Sequence, residues 1–495
     1  MTGDYAKAEP LLERALRINE KVLGPEHRDT ATILNNLGYL YDQLGNHAKA
    51  EPLYQRALKI REKAVGPEHP DTAISLINLG ELYDEIGDYA KAKPLLQRGL
   101  RINEKVLGLD HPDTATSLNN LAALYDEMGD YAKAEPLVER ALKIREKEMG
   151  PDHPDTATSL GRLAIIYYHL GDYAKAEPLF QRALKIRENA LGLDDPMTAD
   201  SVNNLAILYH DLGDYAKAEP LYQRALKTRE TALGPDHPDT AESLNDLAIL
   251  YKDMGDFTKA ELLCQRALKI REKALGSNQL EIAKSLNTLA TVLADMYVYT
   301  KAEPLYQRAL KIRETALGSN HPDTAECLDN LATLYCEIGD YAKAEPLYQR
   351  ALRIRENSLA LDHPDTATSL INLAELYDEL GDYAKAEPLL QRSLRINEKV
   401  LGSDNPKTVI SLNNLAVLYG EMGDHAKAGP LFQRSLRINE KAMGPDNPVT
   451  ASSLNNLAQL YDGGSSLRRG SAGVAKGICR GWDAEPSDDI VARRR

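Results

Sequence analysis

Only four cysteines occur in 495 residues, Cys264, Cys327, Cys336 and Cys479, at unrelated spacings and with no CxxC pair. That is too sparse for a disulfide framework, so they read as reduced thiols of a cytoplasmic protein. No stretch of about 18 apolar residues is present, which excludes a membrane-spanning helix. The opening MTGDYAKAEP lacks the basic and apolar regions of a secretory signal. Positive charge is in deficit, with 60 lysines and arginines against 74 acidic residues and a net charge of −14. A nucleic-acid binder normally carries a basic stripe, so no nucleic acid is expected as partner. Walker, GxSxG, HExxH and CxxC motifs are missing, and no carboxylate pair stands apart from the surrounding pattern. The expectation is a non-enzyme with no cofactor and no metal.

What the sequence has in excess is repetition. Gly3, Gly45, Gly87, Gly129, Gly171, Gly213, Gly255, Gly339, Gly381 and Gly423 fall on a 42-residue register that only Tyr297 interrupts. In one unit, Leu118, Leu121, Ala122 and Tyr125 follow the i, i+3, i+4, i+7 spacing of an amphipathic helix, here helix A. Ala134, Leu137, Val138, Ala141, Leu142 and Ile144 do the same for helix B. Gly129 suits the left-handed residue that ends helix A, and Asp130 can cap helix B. Pro154 and Asp155 suit the first turn of the next helix A. Pro136 opposes the assignment, since a proline inside a helix costs about 3 kcal/mol, so a bend or a loosened first turn is expected there. Neither helix can bury its stripe alone, and stacked units share one continuous core. The pattern predicts an all-α solenoid of about 22 helices. It spans residues 1–462, as a half repeat 1–29, full repeats 30–449 and a final helix 450–462. Residues 463–495, with seven basic and four acidic side chains, read as a disordered basic tail.

Leu121, Ala122, Tyr125, Gly129, Tyr131, Ala134, Ala141 and Leu142 match the tetratricopeptide pattern L-[GA]-x-x-Y-x-x-x-G-x-Y-x-x-A followed by A-L. The longer unit, with LNNLAxLY, KAEPLYQRALKIRE and LGxDHPDTA, resembles the cargo-binding repeats of kinesin light chains over residues 1–462. The resemblance implies a right-handed α-solenoid whose A helices line a concave groove. It also implies a non-catalytic interaction scaffold that holds an extended peptide or a partner protein in that groove. Similar arrays serve as sensor halves of bacterial signalling proteins, so a regulatory module of a larger signalling enzyme is a second reading. A self-assembling array with end-to-end self-association is a third.

The second asparagine of LNNLA recurs as Asn36, Asn78, Asn120, Asn204, Asn330, Asn372, Asn414 and Asn456, and Arg162, Asp246 and Thr288 replace it elsewhere. An amide offers both donor and acceptor, so such a row can bind peptide backbone; alternatively it ties neighbouring helices together. In the kinesin-light-chain resemblance this position contacts peptide. Arg61, Arg145, Arg187, Arg229, Arg271, Arg313 and Arg355 form a second row near the end of helix B. The resemblance gives them acidic side chains of a ligand, while the plainer reading is an exposed i, i+4 pair. The lysine that the family places early in helix A occurs once, at Lys284. Opposite in sign, Glu85, Glu127, Asp211, Asp253, Asp295, Glu337, Glu379 and Glu421 stand near the end of helix A, where they face either a groove or the rim.

Seven histidines (His27, His69, His111, His153, His237, His321 and His363) share one loop position, and a residue repeated once per stacked unit cannot gather around a metal. They read as loop or cap residues. Around Lys284, Tyr297 and Tyr299 the pattern fails, with Leu262 for the proline, GSNQLEI for the loop and ADMYVYT for the turn. A changed turn is expected there, by drift, or as a hinge or specificity patch around Lys284, Tyr297 and Tyr299.

Overall fold

The computed structural model describes residues 5–274, 279–359 and 361–461, and these form 22 helices in the expected alternation, with no strand among the described residues. The expected tail lies outside the described residues.

The pair Pro112–Glu127 (A) and Tyr131–Glu148 (B) represents the others. Its A helix starts at His111, whose Nδ1 accepts the Asp113 amide at 3.1 Å. Thr114 reaches back to the Gly108 carbonyl at 2.8 Å. His27, His69, His153, His237, His321 and His363 cap their helices in the same way. The histidine column is thus a set of N-caps, each satisfying an amide that the helix leaves without a partner. The helix ends at Gly129, φ +67°. There the amides of Gly129 and Asp130 reach the carbonyls of Asp126 and Tyr125 at 2.8 and 2.7 Å. Asp88, Asp172 and Asp214 then accept the amides of Lys91, Lys175 and Lys217 at the start of their B helices. Asp130 is an exception: it bridges to the lysine three residues on, as Asp88 also does, but makes no side-chain bond to the helix amides.

Pro136 does not stop its helix, which runs unbroken from Tyr131 to Glu148. The carbonyl it leaves without an amide is that of Ala132, an exposed residue where water can serve. Ala122, Ala134 and Ala141 are fully buried and let the helices approach, while Leu118, Leu121, Leu124, Tyr125, Val138 and Ile144 fill the space between them. Each large side chain so buried contributes about 1.5–3 kcal/mol, which is why the apolar stripe overrides the proline.

The irregular turn keeps its shape. Tyr297 adopts φ +61°, and the amides of Tyr297 and Val298 reach Ala294 and Leu293 at 2.8 Å, as at Gly129. Among the described residues it is the one non-glycine at positive φ. Val298 offers no side-chain cap. The changed turn expected from sequence is therefore corrected: packing on both sides imposes the common turn and strains Tyr297 instead. A left-handed non-glycine costs about 1–2 kcal/mol and a missing cap about 1 kcal/mol. Tyr297→Gly with Val298→Asp is expected to raise stability by about 2 kcal/mol in urea denaturation; an unchanged midpoint would contradict this account.

The stack coils tightly enough to meet itself. Across 235 or 236 residues, about five and a half repeats, the Nε2 of His363 lies 3.1 Å from the Glu127 carbonyl oxygen. Asn405 donates to the Leu170 carbonyl, and Asn447 to that of Leu212 at 2.9 Å. His321 packs over Gly87, beside the Glu85 carbonyl. At His363, Asn405 and Asn447 a residue at the start of an A helix serves its own helix with one side-chain atom and the end of an A helix one turn earlier with the other, while His321 takes the same place without completing the second bond. Asn405 and Asn447 show the division most clearly, their Oδ1 accepting Lys407 and Val449 amides at 2.7 and 2.8 Å. Helix ends of opposite partial charge meet at every such contact.

This double use fixes His363 as neutral, with its proton on Nε2. Burial lowers its pKa, Arg355 and His169 add to that, and together they outweigh Asp365 and the bond to the Glu127 carbonyl. His321 is lowered likewise, by burial first. A base whose pKa falls on folding gives stability that is complete above its unfolded pKa and is lost as pH falls through the folded one. Stability is therefore expected to decline between about pH 7 and pH 5. H321N/H363N removes both titrating rings and places asparagine in the role that Asn405 already serves, so it should flatten that decline in pH-dependent thermal melts; a profile unaltered by the substitutions would refute it.

Candidate functional site

Successive A helices approach one another directly, and side chains bridge them. Asn119 donates to Ser159 and Asn245 to Ser285, both at 3.0 Å, and Asn203 to Asp246 at 2.8 Å. The A helices therefore lie on the inner, shorter radius. In mid-array they are enclosed. Every residue from Asp155 to Tyr168 of the A helix Pro154–His169 is buried, against seven of 19 in the B helix Tyr173–Leu191.

Accessible inner surface is concentrated towards the two ends of the array. In the A helix Pro364–Glu379 it consists of Thr368, Asn372, Glu375 and Glu379, spaced i, i+4, i+7, i+11 along one face. The asparagine row follows this division. Asn36 is exposed and Asn78, Asn330, Asn372 and Asn414 are half-buried, while Asn120, Asn204 and Asn456 are buried. Asn120 donates to Glu81, Asn330 to Asn287 at 3.2 Å, and Asn414 to Glu375 at 3.0 Å. Asn120 and Asn204 keep an amide oxygen without a protein donor.

Seven residues after an asparagine, two helical turns along the same face, comes a carboxylate: Asn78 and Glu85, Asn120 and Glu127, Asn330 and Glu337, Asn372 and Glu379, Asn414 and Glu421. Glu85, Glu127 and Glu379 are exposed, and Glu337 and Glu421 half-buried. Crowding is greatest near Glu81, whose carboxyl is pushed up to about 8 by burial and then by Asp42 and Asp84. Although its side chain is 47% exposed, Glu85 sits deep enough in the concave wall that loss of surrounding water, then Asp42 and Glu81, hold its carboxyl above the usual carboxylate range. In mid-array burial raises Asp211 and Asp246 as well, but Asp253 is balanced. His210 lies 2.8 Å from Asp253 and, with Lys252, lowers its pKa against the effect of burial. Lys284 is surrounded in the same way. Burial opposes its charge, but Glu281, Glu242 and Asp246 outweigh that and raise its pKa.

One cluster escaped the sequence reading. His47 Nδ1 lies 3.4 Å from Asp42 Oδ1 and 3.9 Å from Glu85 Oε2. Among the described residues, Asp42, His47 and Glu85 are the three metal-ligand-type side chains that come within 4.8 Å of one another. His47 lies outside the histidine column, at a position held by Tyr89 and Tyr131 in the next repeats, so attention to the column passed over it.

The tetratricopeptide repeat profile matches residues 1–63, 43–105, 87–147, 113–189, 195–273, 281–357, 334–399, 365–441 and 407–465. The chain belongs to the tetratricopeptide repeat family. No curated protein matches it. Among solved structures it is similar to BtubC (BKLC) from P. vanneervenii, at 27% identity over 47% of this chain and 90% of that one, TM-score 0.37. The nearly identical TPR-like repeats of a putative kinesin light chain from Podosopora anserina share 27% identity, over 41% and 97%, TM-score 0.35. A Rap protein complexed with competence and sporulation factor shares the fold at 14% identity, over 75% and 98%, TM-score 0.50.

Within this tetratricopeptide array the arginine row has a structural place that sequence did not disclose. Arg61, Arg145, Arg187, Arg229, Arg271, Arg313 and Arg355 are all buried. Arg61 donates to the Asp71 carbonyl at 2.8 Å and to Ser75 at 3.0 Å. Arg145 does the same with Asp155 and Ser159, and its Nη2 reaches Thr116 at 3.2 Å. Neither an exposed pair nor a free groove cation describes these residues. Each guanidinium fastens the start of the following A helix, so they position the inner wall.

Proposed function

We propose that this chain is a non-catalytic scaffold that holds an extended, basic segment of a partner protein along the accessible inner face of its A helices. The observation that carries the reading is the crowding of Asp42, Glu81, Asp84 and Glu85. Burial first, and then the repulsion of Asp42 and Asp84, push Glu81 up to about 8 even with Arg162 nearby. A lysine or arginine brought there relieves that repulsion, which is a differential interaction available only to a cationic ligand. Asparagines on the same face supply donors and acceptors for its backbone. The same acidity disfavours a polyanion, and no described helix is long and apolar enough to cross a membrane.

The test is fluorescence anisotropy with a lysine- and arginine-rich peptide and with its acidic counterpart. The basic peptide is expected to bind, with E81Q/E85Q weakening it about tenfold, near 1.4 kcal/mol. A cation favours the ionised carboxyl, so Glu81 gives up its proton on binding and affinity should rise between about pH 6 and pH 8.5. Equal binding of the acidic peptide would sink the proposal.

A further inference from the structure

We infer that a second copy of this chain continues the superhelix end to end, docking its first turn on the uncovered edge of the second turn. This does not depend on the inner-face ligand.

The contact that would be reused already exists within one chain. Where the second turn covers the first, Ile86, Met128, Leu170 and Leu212 at the ends of their A helices are half-buried against the core. Met254, Ile338, Leu380 and Met422 occupy the same repeat position on the second turn and are 44, 46, 48 and 43% exposed. The facing side behaves in the same way. The caps His321 and His363, which lie over an earlier turn, have side chains 6 and 7% exposed, whereas His27, His69, His111 and His153 are 38–44% exposed. Most glycines agree. A Cβ at Gly87 or Gly129 would meet a histidine and a proline of the next turn at 2.9–3.1 Å, and one at Gly171 would meet Pro406 and Asn405 at 2.8–3.1 Å, while Gly255, Gly339, Gly381 and Gly423 face open space at similar φ, as does Gly213 at the last covered position. Both halves of an established interface are thus exposed on opposite edges of the molecule.

The register follows from the repeat. Eleven units of 42 residues end at position 462, so a second copy placed in phase sets its B helix Tyr5–Val22 against the A helix Pro448–Tyr461. Leu454 and Tyr461 are exposed there, although their equivalents Leu412 and Tyr419 are buried, and Ile18 is exposed where Ile60 is buried. In that register His27 reaches Gly255, His111 reaches Gly339 and His153 reaches Gly381. Helix C-termini meet helix N-termini at each point, as within the chain. A heterologous joint of this kind is open-ended and gives chains of copies rather than closed dimers. One position resists. His69 falls on Tyr297, whose side chain stands 79% exposed where the covered turn has glycine. Tyr297 therefore weakens the joint.

Sedimentation velocity of the full chain over a wide concentration range tests this. Wild type is expected to gain mass with concentration, Leu380→Glu with Met422→Glu to remain monomeric, and Tyr297→Gly to associate at least tenfold more tightly. Circular dichroism checks that each variant is folded; the glutamates replace side chains already in solvent. If wild type and Y297G both stay monomeric, the inference is overturned. It is overturned equally if association survives the glutamates, or if cross-linking places residues 463–495 of the same chain on this edge.

Discussion

Arg229→Asn is expected to lower stability by about 3–5 kcal/mol, the usual cost of removing one member of a buried ion network. Arg229 is fully buried, with Nη2 at 2.7 Å from Asp200 and Nη1 at 3.1 Å from Glu242. It also donates to Ser243 at 2.9 Å and to the Asp239 carbonyl at 3.2 Å. Without the guanidinium, two carboxylates confront each other in the interior. Asparagine itself is tolerated at this repeat position. Asn103, Asn397 and Asn439 donate to Ser117, Ser411 and Ser453 at 2.8–3.0 Å. There the residues equivalent to Asp200 and Glu242 are Ile74, Thr116, Thr368, Ile410 and Ser452, none of them acidic. R229N/D200T/E242T should therefore recover most of the loss. Because most contacts run between neighbouring repeats, with only cap residues such as His363 tying one turn to the next, the single variant should also lower the cooperativity of urea unfolding at this junction. A single cooperative transition with wild-type midpoint would show that the network contributes little.

Gly129→Ala and Gly381→Ala separate backbone strain from contact between turns. Both residues have positive φ, +67° and +74°, so alanine costs about 1–2 kcal/mol at either. Only at Gly129 would the new methyl meet neighbours, Pro364 Cδ at 2.9 Å and His363 Cδ2 at 3.0 Å. A proline ring cannot swing aside, so the turns must separate there. G129A is expected to destabilise by at least about 1 kcal/mol more than G381A, within the range for forced overpacking. Equal losses in chemical denaturation would mean that the turns do not touch in solution.

Legibility in the sequence tracked the range of the interactions involved. Helices, caps and the A–B alternation were legible because each depends on neighbours in sequence, as with Gly129 and the His111 cap. Tyr297 misled in the opposite direction, since its local preference is overridden by repeats packed on both sides. The arginines were misread because an RE pair looks the same on paper whether it faces water or the next helix, and only the stacking angle buries Arg145. The asparagine row was visible as a row, but which members stay accessible depends on how tightly the superhelix closes. That winding sums small rotations over more than five repeats, and no residue pattern shorter than that encodes it. His363 on Glu127 and Asn405 on Leu170 thus had no signal, although the unpaired edge could be recognised once the paired one was known.

Small-angle X-ray scattering on dilute wild-type protein, beside G129A, measures that winding most directly. The account predicts a compact two-turn particle for wild type and a longer maximum dimension for G129A. An extended wild-type particle, with scattering identical to that of the variant, would contradict the closed superhelix and with it the division of the inner face into enclosed and accessible stretches.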